Sequence, residues 1–201
     1  MNIRLFSYKL LDDTGFAPNP FHGFLTLANC KPAIRRAKKV GDWIAGFTSK
    51  GLNNDAVGHE RLIFLMKVTD KIDYFEYWTN PEYKCKIPQL NSDRIEDKAG
   101  DNIYKPDKER GFIQIPNKNH SEKDIKRDLG GKYILISECY YYFGYSAISI
   151  PSEIRPAVPK GQSADGKRTY NKEKARKFIE YIQNNYKMGI IDYPYNWPRK
   201  K

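Results

Sequence analysis

The stretch from Arg61 to Thr69 limits the fold of this chain more than any other segment. In an extended strand Leu62, Phe64, Met66 and Val68 fall on one face, while Ile63 and Leu65 fall on the other. A strand apolar on both faces has to run through the middle of a sheet that is itself covered on both sides. Strand-like segments are available to flank it: Ile3 to Tyr8, Asp42 to Phe47, Lys132 to Ser137, Cys139 to Phe143 and Ile148 to Ile150. Helical cover is available too. Pro32 opens a brief helix from Ala33 to Lys39 that Gly41 ends. Asn171 caps a longer one reaching about Lys187, with Phe178, Ile179, Ile182 and Tyr186 as its apolar stripe. The expected fold class is α+β, with a mixed β-barrel core, short peripheral helices and a C-terminal amphipathic helix.

Other segments carry weaker signals. Asp73 to Tyr83 suits either a short helix or an aromatic loop clasping the barrel, and the polar, proline-dotted stretch from Cys85 to Gly131 predicts irregular structure. Pro156 to Gly166 reads as a linker. The expected organisation is therefore a domain over residues 1–155, then a linker and basic helix over 156–201 packed on that same domain, a length that one core can hold.

Several function classes are disfavoured. The longest apolar run, Leu62 to Met66, is far short of the roughly 20 residues of a spanning helix, so no membrane partner is expected. The strand-like start at Ile3 to Tyr8 lacks the features of a secretory signal, which makes cytoplasmic residence the expectation. Cys30, Cys85 and Cys139 form no C-x-x-C pair and read as reduced thiols. His22, His59 and His120 show no metal-ligand spacing; His22 and Cys30 can meet in space, but a packed or hydrogen-bonding role suits them better, so neither metal nor cofactor is expected. The net charge of +11 creates a field that attracts phosphates, although lysines that merely solvate the surface give the same total.

The most distinctive residues lie in GFAPNPFHGFLTLANCKPAIRRAKKVGDWIAGFTSK, from Gly15 to Lys50. Together with Gly100-Asp101-Asn102-Ile103-Tyr104 and the strand region Ile134 to Phe143, this string resembles the nucleotide-modification-associated domain family, second type, found among phage and bacterial genes linked to DNA base modification. The likeness spans roughly residues 1–155. Within it, a helix, then Val40-Gly41-Asp42-Trp43, a strand and Leu62 to Thr69 follow in an order similar to the PUA-like barrels, which bind RNA or modified bases. The resemblance implies a module that recognises a nucleotide, DNA or RNA, with a modified base as its target. The alternatives are an enzyme that modifies a nucleotide or DNA base, and a defence or regulatory protein acting through protein contacts; partner enzymes of a modification pathway fit any of the three.

A base pocket needs a flat ring for stacking and polar groups that read an edge. Phe21, Trp43 and Tyr104 are the stacking candidates, Asn19 and Asn102 can pair with a base edge, and Lys31, Arg35 and Arg36 can meet phosphate from the mouth of the short helix. His22 with Asp42 or Asp101 forms the candidate acid–base pair, and a working pocket requires His22, Lys31, Asp42 and Asp101 to converge. Each has a plainer alternative: Trp43 suits a core strand, Phe21 suits capping the barrel, Asn19 suits fixing its own loop, and Asp42, Asp101 and Asn102 suit turns. Backbone contacts to nucleic acid are expected from Lys172, Lys174, Arg176 and Lys177 on the C-terminal helix, aided by Arg168 and Arg199-Lys200-Lys201. Neutralising those four helix residues together is expected to weaken binding of long DNA or RNA and flatten its salt dependence, leaving mononucleotide binding nearly intact. Titrations at several salt concentrations check this, and an unchanged slope makes the face ordinary solvated surface.

Overall fold

The computed structural model describes residues 3–161 and 163–198. Its elements follow in the order β1 (Leu5–Lys9), β2 (Leu25–Leu27), α1 (Pro32–Ala37), β3 (Trp43–Phe47), α2 (Lys50–Asn53), β4 (Leu62–Lys67), β5 (Asp70–Asp73) and α3 (Tyr74–Thr79). The second half adds α4 (Ile95–Lys98), β6 (Tyr104–Asp107), β7 (Gly111–Gln114), α5 (Ile125–Leu129), β8 (Tyr133–Ser137), β9 (Cys139–Tyr142), β10 (Lys167–Thr169), α6 (Lys172–Asn185) and β11 (Gly189–Ile190). Six strands pair in the order β10-β1-β3-β4-β9-β11, three in the order β2-β8-β5, and β6 with β7 makes a separate hairpin. This is a mixed α/β fold with mostly short helices.

One bent ribbon joins the two larger sheets. Lys67 faces Cys139 in one sheet and Asp70 faces Ile136 in the other, so the antiparallel register runs through the gap unshifted. At the corner the Thr69 N–H donates to Ile136 O at 2.9 Å, and the Glu138 N–H donates to Thr69 Oγ1 at 3.1 Å. The β4–β5 and β8–β9 strands therefore turn together, with hydroxyl and backbone groups satisfying the bend. The expected closed barrel does not form among the described residues. The ladder that starts from this ribbon ends on edges of three residues at β10 and two at β11, too short to pair onward.

The central strand is buried as its sequence demands, with Leu62 to Met66 wholly enclosed. Its facing pattern differs from simple alternation. The ladder with β3 shifts between Gly46 and Phe47, where Ile63 is left over between Leu62 and Phe64. Ile63 thus packs with Phe64, Met66 and Val68 against Tyr8, Ile44 and Tyr142, and Leu62 joins Leu65 on the opposite side. Gly46 is required at this place, since a Cβ there would run into the Phe64 ring.

Leu62 and Leu65 meet α6. The Asn171 side chain accepts the Lys174 N–H at 2.9 Å to start that helix, and Ala175, Phe178, Ile179 and Ile182 pack on Leu5, Trp43 and Phe47. Burial of side chains of this size contributes about 1.5–3 kcal/mol each. The helix begins later than Lys167, because residues 167–169 pair with β1 as an edge strand. Its outer face is partly neutralised by ion pairs of Arg176 with Glu180 and Lys177 with Glu173, both at 2.9 Å, and Arg199-Lys200-Lys201 lies outside the described residues. In the 85–131 stretch, expected to be irregular, the structure contains the β6–β7 hairpin, α4 and α5; Pro106 and strands of four residues leave too little periodicity to read. Asp73 caps α3 through the Glu76 N–H at 2.9 Å, so the aromatic segment begins as a helix. No helix among the described residues is long and apolar enough to cross a membrane.

Candidate active site

Between β2 and α1 the chain makes a tight turn in which Cys30 (φ 55°) and Lys31 (φ 39°) both take the left-handed conformation, uncommon outside glycine. Side chains hold the turn. The Cys30 N–H donates to Asp128 Oδ1 at 3.0 Å, Arg35 Nε donates to Cys30 O at 2.8 Å, and Asn29 Nδ2 donates to Asp101 O at 2.7 Å. Cys30 is left partly exposed, with its sulfur 3.3 Å from Nε2 of His120.

His120 is fixed in turn. Its Nδ1 lies 2.6 Å from Asp128 Oδ2, its backbone N–H donates to Asn117 Oδ1, its carbonyl accepts Gln114 Nε2, and the Phe16 ring meets it edge-on at 4.8 Å. Asp128 has no exposed surface and accepts from four groups: His120 Nδ1 and Tyr104 OH (2.8 Å) on one oxygen, the Cys30 N–H and Arg127 Nε (3.3 Å) on the other. Burial opposes its ionisation, but the hydrogen bond and charge of His120 and the other donors hold its carboxyl below the ordinary range. An ionised Asp128 requires the proton on His120 Nδ1, which leaves Nε2 directed at the thiol. Burial alone lowers the His120 pKa, yet the hydrogen bonds to Asp128 and Cys30 and their negative charge outweigh it and raise it to about 9. A thiol, an imidazole and an orienting carboxylate in this sequence of contacts is the constellation that activates a cysteine nucleophile.

The backing of this network is Arg35. Its guanidinium is fully buried and donates to Asp128 O (2.6 Å), Tyr133 O (2.9 Å) and Tyr74 OH (2.8 Å), besides Cys30 O. Gly131 permits the approach, since a Cβ there would collide with the guanidinium. In front lies an open cavity of ≈ 640 Å³ lined by Tyr8, Phe16, Cys30, Lys31, Lys118 and His120 among others, a size that suits a small ligand. The Tyr8 hydroxyl is buried on its wall with no hydrogen-bond partner among the described residues. Lys31 Nζ sits 5.1 Å from the Tyr8 ring centroid, and burial lowers its pKa.

Of the residues singled out from the sequence, Lys31 alone lines this cavity. His22, Lys31, Asp42 and Asp101 do not converge: His22 lies 3.6 Å from Asp97 in a separate concavity of ≈ 420 Å³, and Asp42 pairs with Arg4 at 2.5 Å. Asp101 is buried, accepting from Thr26 Oγ1 (2.6 Å) and Tyr77 OH (2.7 Å), and burial raises its pKa. Asn19 holds Ala99 O and the buried Lys86 ammonium, Asn102 donates to Tyr77 O, and Phe21 stacks on Trp197. Trp43 is enclosed in the core below α6, and Tyr104 reaches the site only through Asp128. Arg36 is exposed, with its guanidinium on Gly130 O at 2.9 Å. Lys172, Arg176 and Lys177 are exposed and Lys174 is half-buried, all on α6 and none lining the cavity. Arg35, expected to reach phosphate, points inward with its donors committed to protein oxygens. Cys30 had been read only as a reduced thiol, and neither His120 nor Asp128 stood out.

A family model described as nucleotide modification associated domain 2 matches residues 2–201. No curated protein and no solved structure matches the chain.

Two outcomes follow from this geometry. By NMR, His120 is expected to titrate near pH 9 in the native protein and to move back toward its ordinary 6.5 in Asp128→Asn. Because the folded value is the raised one, the stability this group contributes is complete below pH 6.5 and is lost as pH climbs through 9, with Arg127 and Asp124 the other charges beside it. Arg35→Ala is expected to cost about 3 kcal/mol or more in denaturant unfolding, because it removes a wholly buried side chain together with four hydrogen bonds that tie separate segments.

Proposed function

Because the chain belongs to the nucleotide modification associated domain 2 family, we propose that it takes a nucleotide, or one base of a nucleic acid, into the cavity beside Cys30. The observation that carries the reading is the lining. Tyr8 and Phe16 supply aromatic surface, the Tyr8 hydroxyl, without a partner among the described residues, supplies a buried polar contact, and Lys31 and Lys118 supply positive charge in a lining that also holds Asp12 and Asp124. A buried hydroxyl with no partner costs free energy that a ligand acceptor would recover. Lys118 is exposed and makes no ion pair among the described residues, which leaves its charge to a phosphate.

This reading moves the ligand away from most of the residues first suspected. Asn19, Asn102, Tyr104 and Arg35 act behind the site by shaping the loops that carry it, and Lys31 remains in contact. The PUA-like reading belongs to the same proposal, and what supports it is the bent ribbon that joins the two larger sheets. The ion pairs along α6 reduce the charge that face can offer a polymer backbone, which favours a small nucleotide over an extended strand.

A thermal-shift and calorimetric screen of nucleotides with ordinary and modified bases tests the proposal. A ligand at 100 times its dissociation constant is expected to stabilise the protein by about 2.7 kcal/mol. Lys31→Ala combined with Lys118→Ala is expected to weaken that ligand at least roughly 10-fold, or about 1.4 kcal/mol, with little change in the unliganded melting temperature. Equal affinity in the double variant places the ligand elsewhere.

A further inference from the structure

We propose that Cys30 is a catalytic nucleophile that cleaves an acyl group, ester or amide, from a nucleotide-borne substrate, with His120 as its acid–base partner and Tyr8 as donor to the developing oxyanion. The nucleotide part of this substrate rests on the reading above, whereas the chemistry at Cys30 stands on its own geometry.

Four observations converge. Cys30 faces the cavity from a left-handed turn that the Asp128 carboxylate and Arg35 hold in place. Nε2 of His120 stands 3.3 Å from the sulfur, and Asp128 fixes the tautomer that this contact needs. Tyr8 lines the same cavity, and its buried hydroxyl has no hydrogen-bond partner among the described residues. No second cysteine lines the cavity, so a dithiol redox cycle has no resolving thiol there.

A metal site is the competing use of these three side chains, whose ligand atoms lie within 4.8 Å of one another. The contacts speak against it. Asp128 already accepts four hydrogen bonds, and His120 Nδ1 bonds to it directly, so neither the carboxylate nor that nitrogen is free to turn to an ion.

The step balances without an oxidant. His120 Nε2 takes the thiol proton, the sulfur electron pair forms an S–C bond at the acyl carbon, and the carbonyl π pair moves to oxygen, where the Tyr8 hydroxyl donates. As the carbonyl re-forms, the C–N or C–O bond breaks, and the leaving amine or alkoxide takes the proton from His120 Nε2. Water then adds to the thioester, gives its proton to His120, and expels the thiolate, so one ester or amide and one water become an acid and an amine or alcohol.

The full chain can be tested with p-nitrophenyl acetate as the acyl probe, following p-nitrophenolate release and locating the acetyl adduct by peptide mass mapping. The expected result is rapid acetylation of Cys30 ahead of Cys85 and Cys139. His120→Gln is expected to slow it roughly 100-fold or more. Tyr8→Phe, which keeps the ring packing, is expected to slow it by a similar factor. Acetylation of Cys30 no faster than of Cys85, or a rate unmoved by His120→Gln in a variant that melts like the parent, overturns the assignment. So does stoichiometric zinc retained through dialysis. Nucleotide titration of Cys30→Ala runs in parallel: binding without wild-type acetylation sinks only the covalent chemistry, and acetylation without nucleotide binding sinks only the nucleotide reading.

Discussion

A guanidinium shut away from water must find protein acceptors on every side, and at Arg35 that requirement ties four separate segments together. Its donors reach the carbonyl of Cys30 before α1, the hydroxyl of Tyr74 in α3, the carbonyl of Tyr133 at the start of β8 and the carbonyl of Asp128 in α5. These segments lie far apart in sequence, and no single ladder pairs all of them. One planar group with fixed donor directions therefore sets their relative positions, a task the flexible ammonium of lysine performs less well. Breaking it would take one donor from each of these oxygens, although Asp128 O would keep the Tyr74 hydroxyl and the Gly131 N–H, and the turn bearing Cys30 would lose a contact on its carbonyl side.

Asp128 depends on that frame and completes it. A carboxylate with no exposed surface survives ionised only where hydrogen bonds replace its hydration. Here His120, Tyr104, Arg127 and the Cys30 backbone each donate to it. The same contacts that keep the charge in place fix the imidazole plane and the cysteine turn. Stability and reactivity consequently draw on one set of bonds, and the aromatic ring of Phe16 closes the imidazole from the side.

Much of the fold was legible because it follows from periodicity and caps. The enclosed strand Leu62–Lys67 and the helix started by Asn171 each announce themselves within a few neighbouring residues. The bent ribbon did not, since its corner at Thr69 and Glu138 joins residues far apart in the chain, and the β6–β7 hairpin carries a proline where alternation would be sought. The site was harder still. Cys30 and His120 are separated by 90 positions and His120 and Asp128 by 8, spacings that match no local motif. The polar residues of the distinctive N-terminal string looked like ligand contacts because they are unusual in type. Asn19 and Arg35 are unusual for another reason: they satisfy irregular backbone from within. The signal that was present is the position of Cys30 in that same string, directly before Lys31-Pro32.

Loops without a ladder need some other source of donors, and this explains why a second cation is buried. The ammonium of Lys86 lies wholly inside and donates to Asn19 O, Asn19 Oδ1 and Phe24 O, fastening the loop that enters β2 as Arg35 fastens the turn that leaves it. Each cation carries a desolvation cost that an apolar side chain would avoid. An apolar side chain, however, could not donate to carbonyls, and the loops on both sides of β2 would lose the fixed geometry that a ligand or a nucleophile requires. The two buried charges are thus better understood as the means of holding an irregular site rigid than as contributors to net stability. It follows that Arg35, Lys86, Asp101 and Asp128 cannot be exchanged without moving the backbone on which Cys30 stands.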